Sequence, residues 1–150
     1  MNTAQLAELL ARDTADGIGQ QVVRALIVRD DRALLLRRPK HEFRGGVWEM
    51  PGGKVEPHDR DLLAALRREV HEETGLAVTG FTRYLAAHDY INRKGRSVRQ
   101  HTWSVTVSGG NVRLTEHDAY AWAHARDARA ISPEDRDLIT RHAGPGGPPL

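Results

Sequence analysis

The 150-residue sequence contains no cysteine, and this absence removes several kinds of chemistry at once. Without thiols the chain can form neither a disulfide nor a thiolate metal site, and it has no cysteine nucleophile. Chains without cysteine are common in reducing compartments, so we expect a cytoplasmic protein.

Long apolar runs are also missing, since no stretch approaches the roughly 18 residues that a membrane-spanning helix needs. The first residues lack the basic-then-apolar order of a secretory signal peptide. We therefore expect no membrane association. Basic runs interleaved with aromatic residues are absent and the formal net charge is only +2, so nucleic acid is not an expected partner.

The length suits one domain with a sizeable core. Thr3 to Asp13 carries leucines at helical spacing, and we assign residues 1–19 to an N-terminal helical extension. Residues 20–143 form the main domain, and the Gly- and Pro-rich residues 144–150 predict a disordered tail. The extension either packs across the domain surface or forms a dimer contact, which leaves a monomer and a homodimer both open.

Within the main domain, strand patterns alternate with two main helices. Gln21 to Val28 is rich in β-branched residues and nearly continuous, which is typical of a strand buried on both faces. Leu76 to Tyr90 predicts two strand segments separated at Gly80. Ser132 followed by Pro133 predicts the start of the last helix. These patterns indicate an α/β fold with a mixed sheet between helices.

The most informative stretch runs from Pro51 to Leu76 and contains a cluster of acids. Glu69, Glu72 and Glu73 stand at i, i+3 and i+4, so they share one face of the helix predicted from about Asp61 to Thr74. Like charges at this spacing destabilise a helix by about 0.2–0.5 kcal/mol per pair. A hard divalent cation would offset that repulsion, because it prefers oxygen ligands.

Taken alone, an acidic helix face is equally typical of a solvated surface. The surrounding residues decide the matter. Arg68 to Leu76 fits the pattern R-E-U-x-E-E-x-G-U, and Gly52 to Glu56 resembles the loop that opens the same motif, the Nudix box. Together with the run from Trp48 to Gly53, the sequence resembles the MutT-like members of the Nudix family. The resemblance covers roughly residues 20–142 and implies a Nudix α/β/α sandwich.

One position departs from the family box, which has a Glu six residues after its Gly and eight before its Arg. Here Asp59 stands six residues after Gly53 but nine before Arg68. The loop is thus one residue longer, with Asp in place of Glu. We expect this departure to change loop geometry more than activity.

The resemblance implies an enzyme that uses Mg²⁺, with Mn²⁺ as an alternative. The implied metal ligands are carboxylates of the helix and one backbone carbonyl, namely Glu69, Glu72, Glu73 and Gly53. Arg68 would orient Glu72 by a charge-assisted hydrogen bond and so belongs with it to the catalytic set.

A further carboxylate is expected downstream of the box. Glu116 lies six residues before Trp122, and MutT-like members place a metal-binding or proton-accepting carboxylate in this context. His117 and Asp118 are alternatives for the same role, and a solvated loop residue is the bland interpretation.

The expected substrate is a nucleoside diphosphate linked to another group, most simply a nucleoside triphosphate, normal or oxidised. Arg38 and Asp135 resemble residues that contact the nucleotide in MutT-like members, and Trp48 is a candidate for stacking on the base. Each has a structural alternative, as strand end, helix surface or core. ADP-ribose or another dinucleotide is the alternative substrate, and a non-catalytic nucleotide-binding regulator is the alternative class.

Overall fold

The computed structural model describes residues 1–127 and 129–144. Its elements, in chain order, are α1 (Thr3–Ala15), β1 (Gln20–Arg29), β2 (Arg32–Arg37), β3 (Trp48–Glu49), β4 (Gly52–Lys54), α2 (Leu62–Thr74), β5 (Val78–Ile91), β6 (Ser97–Val107), β7 (Ala119–Ala123) and α3 (Pro133–His142). None of the helices in these ranges is long and apolar enough to cross a membrane. Apart from its first residue, the predicted tail at 144–150 lies outside the described residues.

β1 is the centre of the sheet and pairs with three strands. It runs parallel to β6 and antiparallel to β2 and β4. Alternate residues serve opposite faces: Val23 and Ile27 join the core under α2, while Leu26 joins the core under α3. The sheet order is β3-β2-β1-β6-β5, with β4 beside β1 and β7 beside β2. Helices on both faces of a mixed sheet confirm the predicted α/β/α sandwich.

α2 begins and ends where its sequence predicts. The Asp61 side chain caps the first turn by accepting a 2.8 Å hydrogen bond from the backbone N–H of Ala64. Gly75 ends the helix in the left-handed region, at φ 73°. The apolar stripe of Leu66 and Val70 is fully buried against the sheet, which leaves the acidic face at its edge.

The predicted interruption at Gly80 is wrong, because β5 is one strand from Val78 to Ile91. The pairing between β5 and β6 is irregular at Val78/Gly80, Phe81/Arg83 and Tyr84/Ala86. Each irregularity absorbs an extra residue without ending the strand, as β-bulges do. The turn of this hairpin lies between Ile91 and Ser97, just past the Gln20–Val98 pair that joins β6 to β1.

α1 is held against the sheet by a buried polar network around Asp13. The Asp13 carboxylate is 3% exposed and accepts hydrogen bonds from Gln21, from Arg99 at 2.9 Å and from His101 at 2.7 Å. Burial opposes its ionisation, but the bonds from Gln21, His101 and Arg99 outweigh burial and lower the pKa of Asp13. The N-terminal extension is therefore fastened by charge as well as by its leucines.

Removing the Asp13 carboxylate should destabilise the whole domain. In Asp13→Ala the Arg99 and His101 side chains lose a buried partner, so we expect a loss of about 3–5 kcal/mol in unfolding free energy. Chemical denaturation measures the loss. Asp16→Ala is the matched control, because Asp16 is a half-exposed partner of the same Arg99 and its loss should cost under about 1 kcal/mol. Equal losses in the two variants would show that the buried network has no special weight.

Candidate active site

A pocket lies on the α3 face of the sheet, where β4 borders β1. The register places Val22 beside both Lys54 and Gln100, and Gln100 beside His88. Residues paired in this way point to the same face, and all four line the pocket. The acidic face of α2 reaches the same pocket across β4 through Glu69 and Glu73, the two acids of the predicted cluster found there.

Two glycines let β4 fit between β1 and α2. Gly52 has φ 153°, and a Cβ there would lie 1.9 Å from the carbonyl oxygen of Val23. A Cβ on Gly53 would lie 2.7 Å from the Glu69 carboxyl group. Gly52 cannot accept a side chain, and a side chain at Gly53 would displace the Glu69 carboxylate, so the backbone lies directly against the acids of α2.

The register of β4 also decides which glycine presents polar backbone groups to α2. Ala25 donates to the Pro51 carbonyl and Val55 donates to the Gln21 carbonyl, so these pairs are hydrogen-bonded across the ladder. Alternation then turns the N–H and carbonyl of Gly53 toward β1 and those of Gly52 away from it. The Gly52 N–H accordingly donates to Glu73 at 3.1 Å. The geometry thus favours the Gly52 carbonyl over the predicted Gly53 carbonyl as a metal ligand.

The positions of Glu73 and Glu69 disfavour the ionised forms of their carboxyl groups. Burial raises the pKa of Glu73 to about 7, against the opposing effects of Arg24 and the Gly52 N–H. Burial also raises the pKa of Glu69, although Arg68 opposes the rise with a 3.0 Å hydrogen bond. Both groups would gain from a cation placed between them.

Residues 1–127 and 129–144 contain no group of three His, Asp or Glu side chains already arranged to enclose a metal ion. The donors that lie together are the carboxylates of Glu69 and Glu73 beside the backbone of Gly52. All are oxygen donors, as Mg²⁺ prefers, and Mg²⁺ is completed by water and substrate phosphate. Glu72 does not line the pocket; its side chain is 57% exposed and bonds Arg68 at 3.2 Å.

Arg68 has a stronger partner than the predicted Glu72. Its guanidinium donates two hydrogen bonds to Asp59, at 2.8 and 2.7 Å, in the bidentate geometry that favours Arg–carboxylate pairs. Those bonds lower the pKa of Asp59 to about 2. The longer box loop therefore still brings its acid to Arg68, which in turn holds Glu69 and Glu72.

Arg24 and Glu49 are site residues that the sequence analysis missed. Arg24 donates to the Met50 carbonyl at 3.1 Å and approaches Glu49 at 3.2 Å. Burial would lower the pKa of Arg24, but the charges of Glu49, Glu73 and Asp135 outweigh burial and raise it. The available signal was the single arginine inside the apolar run of β1.

Glu49 in turn is surrounded by the basic side chains of this wall of the pocket. Burial opposes its ionisation, but Arg24, His117 and Arg38 outweigh burial and lower the pKa of Glu49 to about 2. Arg38 binds it at 3.1 Å, and His117 lies 3.7 Å away. Burial would lower the pKa of His117, yet the nearby Glu49 carboxylate and the charge of Glu73 raise it.

The structure separates the three downstream candidates. Glu116 is exposed and lines the pocket, and His117 lines it on the side of Glu49. Asp118 does not line the pocket, because it accepts a 2.7 Å hydrogen bond from Arg37 at the end of β2.

The three predicted substrate residues, Arg38, Trp48 and Asp135, all line the pocket. The ring of Trp48 is approached by the guanidinium of Arg37 at 5.6 Å and of Arg129 at 4.5 Å. Asp135 is 7% exposed, and burial raises its pKa despite the positive charge of Arg24.

Comparison with known proteins places this fold and site in a class of hydrolases. The sequence model of the NUDIX domain matches residues 19–142. The chain is 37% identical over 121 residues to the CTP pyrophosphohydrolase of Escherichia coli (strain K12), covering 79% of this chain and 87% of that protein. It is 26% identical over 108 residues to the 8-oxo-dGTP diphosphatase of Buchnera aphidicola subsp. Schizaphis graminum (strain Sg), covering 72% and 79%.

Among solved structures, the MutT NUDIX hydrolase from Burkholderia pseudomallei superimposes with a TM-score of 0.70 at 29% identity, covering 82% of this chain and 97% of that one. The fold and the match define a pyrophosphohydrolase that acts on nucleotide-linked substrates. The chain belongs to the NUDIX family.

The pH dependence of the unfolding free energy of the metal-free protein should reveal the burial of Glu73. Glu73 ionises near 4.5 in an unfolded chain and near 7 when folded, so the folded state binds more protons between those values. Stability therefore falls as the pH rises through this window and stays reduced above it.

Glu73→Gln removes that loss and keeps an acceptor for the Gly52 N–H. In EDTA at about pH 8 we expect the variant to be about 2–3 kcal/mol more stable than the wild type, with little difference near pH 4.5. Thermal denaturation at both pH values measures this. An equal gain in stability at both pH values would contradict the raised pKa of Glu73.

Proposed function

We propose that this protein is a Mg²⁺-dependent nucleoside triphosphate pyrophosphohydrolase that releases a nucleoside monophosphate and pyrophosphate. The observation that carries the proposal is the contact of the glycine strand β4 with two carboxylates, the buried Glu73 and the partly buried Glu69. A pyrophosphate-bound cation is the partner that such an oxygen-lined site lacks.

Glu69, Glu73 and the backbone carbonyl of Gly52 would hold the cation, with Gly53 leaving room for the Glu69 carboxylate. Such a cation would supply charge neutralisation of the pyrophosphate and a lowered pKa of the attacking water. Arg68 positions Glu69 and Glu72 through its own anchor on Asp59. Glu72, which Arg68 holds beside the site, would be the further carboxylate available to the cation.

Glu116 is the residue we assign to accept the proton of the attacking water or to hold a further cation. It reaches the pocket, and its side chain is free of the ion pair that occupies Asp118. His117 is the weaker candidate, because its ring faces the Glu49 carboxylate, 3.7 Å away.

Asp135 is the residue we assign to the edge of the base, with Arg38 beside it. Burial favours the protonated form of Asp135, which can both donate and accept a hydrogen bond. That pair of bonds matches the ring nitrogen and amino group of cytosine. The ionised form would accept the N–H that 8-oxoguanine carries at N7. The similarity to a CTP pyrophosphohydrolase and to an 8-oxo-dGTP diphosphatase supports testing both bases first.

A hydrolysis panel tests the proposal. With Mg²⁺ we expect CTP, dCTP or 8-oxo-dGTP to yield monophosphate and pyrophosphate, identified by chromatography, and ADP-ribose and NADH to react poorly. Glu73→Gln is the control and should lose at least about a hundredfold in turnover, because one charge of the cation site is removed while its shape is kept. Failure of every triphosphate, or faster cleavage of ADP-ribose, would refute the proposal.

The role of Glu116 has its own test. Glu116→Gln should lower kcat by at least about a hundredfold while changing KM little, because the contact matters chiefly in the transition state. Asp118→Asn is the matched control, since its carboxylate is engaged by Arg37 outside the pocket. Kinetics near wild type in Glu116→Gln, or a comparable loss in a His117 variant alone, would move the role away from Glu116.

A further inference from the structure

Two separate arms flank the mouth of the pocket. One is the β2–β3 loop at residues 39–47, and the other is the tip of the β5–β6 hairpin at residues 90–95. Among the described residues no hydrogen bond joins them. They meet where the guanidinium of Arg93 lies 4.2 Å from the ring centroid of Phe43.

Phe43 has a fixed backbone and a free ring face. Its carbonyl accepts a 3.0 Å hydrogen bond from Arg38, which is itself anchored on the buried Glu49. Its side chain nevertheless lines the pocket and the residue is 53% exposed. Because Arg93 covers only one face of a ring, the other face remains available for stacking.

The pocket is also lined by the aromatic rings of Tyr90 and Trp48, and both are already engaged. The Tyr90 ring stacks against the His88 ring, with 6.0 Å between the centroids. The guanidinium groups of Arg37 and Arg129 lie 5.6 and 4.5 Å from the Trp48 ring, and the Trp48 backbone N–H donates to the Ala130 carbonyl at 2.8 Å. The contacts of both rings are thus made within the protein. Phe43 is the better-placed surface for a flat ligand.

The Phe43 arm adjoins the residue that we assign to the base edge. The loop ends at Trp48, which forms a β-bridge with Ile131, immediately before the Ser132 cap of α3. Asp135 lies in the first turn of that helix and faces the same pocket. The residue assigned to the base edge, Asp135, and the ring available for stacking, Phe43, therefore lie on neighbouring walls of the pocket.

We propose that Phe43 is the stacking platform for the nucleobase and that Arg93 is a positioning residue that fixes the Phe43 ring from the opposite arm. This inference rests on the proposed function, because it supplies the base whose phosphates occupy the acidic end. Arg93 pairs with no carboxylate among the described residues, so its guanidinium is available to interact with the Phe43 ring.

Fluorine NMR tests the platform without turnover. The chain contains only two phenylalanines, Phe43 and Phe81, so protein labelled with 4-fluorophenylalanine gives two signals. Phe81 is a built-in control, because its ring also faces an arginine, Arg67 at 5.2 Å, but does not line the pocket. The Phe43→Tyr variant assigns the two signals.

The probes are the α,β-imido analogues of CTP and dGTP with Mg²⁺, and pyrophosphate with Mg²⁺. We expect an analogue to shift the Phe43 signal and leave Phe81 unmoved, while pyrophosphate shifts neither. Arg93→Met should shift Phe43 in the free protein. A Phe43 signal that ignores both analogues at saturation would overturn the platform, and one that ignores Arg93→Met would overturn the positioning role.

Kinetics separate Arg93 from mere positive charge. Phe43→Leu should raise KM about tenfold with kcat nearly unchanged, in line with the loss of one base–aromatic stack. Arg93→Met should raise KM about fivefold, and Arg93→Lys should recover part of the loss. Lys40→Met is the matched control, because it removes the same charge from an exposed residue of the Phe43 loop that does not line the pocket, and it should change KM less than twofold.

The two residues should also act as one unit. In the Phe43→Leu background, Arg93→Met should add less than about twofold to KM, because the ring it positions is gone. Equal effects of Arg93→Met and Lys40→Met, or additive effects in the double variant, would contradict the inference. Failure of the hydrolysis panel is distinguishable, because the fluorine signals report nucleotide binding without hydrolysis.

Discussion

The close approach of β4 to its two neighbours is the constraint on which the site depends. Gly52 and Gly53 let this short strand lie between β1 and α2, where any side chain would collide with the Val23 carbonyl or the Glu69 carboxylate. This position brings the backbone polar groups of β4 to the face of α2 whose carboxylates repel one another. An acidic face in water would spread its charges, whereas here Glu73 is buried and Glu69 partly so.

Charge is balanced differently at the two sides of the pocket. On the wall of β1, Arg24 serves Glu49 directly and also faces Glu73 and Asp135, so the fixed positive charge is committed to acids of the protein. On the side of α2, the Arg68 guanidinium donates its shorter hydrogen bonds to Asp59 and a longer one to Glu69. Among the described residues Glu73, beside β4, has no ion-pair partner, and this is where we propose that a substrate brings its phosphates and cation.

The local parts of this arrangement could be predicted from the sequence, and the non-local parts could not. The acids of α2 and its extent from about Asp61 to Thr74 follow from spacing along one helix. The choice of Gly52 over Gly53 depends on the ladder between β1 and β4, which no single segment encodes. Contacts such as those of Arg24 with Glu49 and of Arg93 with Phe43 join distant segments, and residue type alone does not specify them.

Direct measurement of cation binding tests the central claim, that Glu69 and Glu73 beside Gly52 form a divalent metal site. Calorimetric titration of the wild type with Mn²⁺ at about pH 8 should show a site from which Mg²⁺ displaces Mn²⁺. Glu73→Gln should weaken it at least about tenfold, while Glu134→Gln, a pocket acid on α3, should leave it unchanged. Equal Mn²⁺ affinity in the wild type and Glu73→Gln would contradict the account.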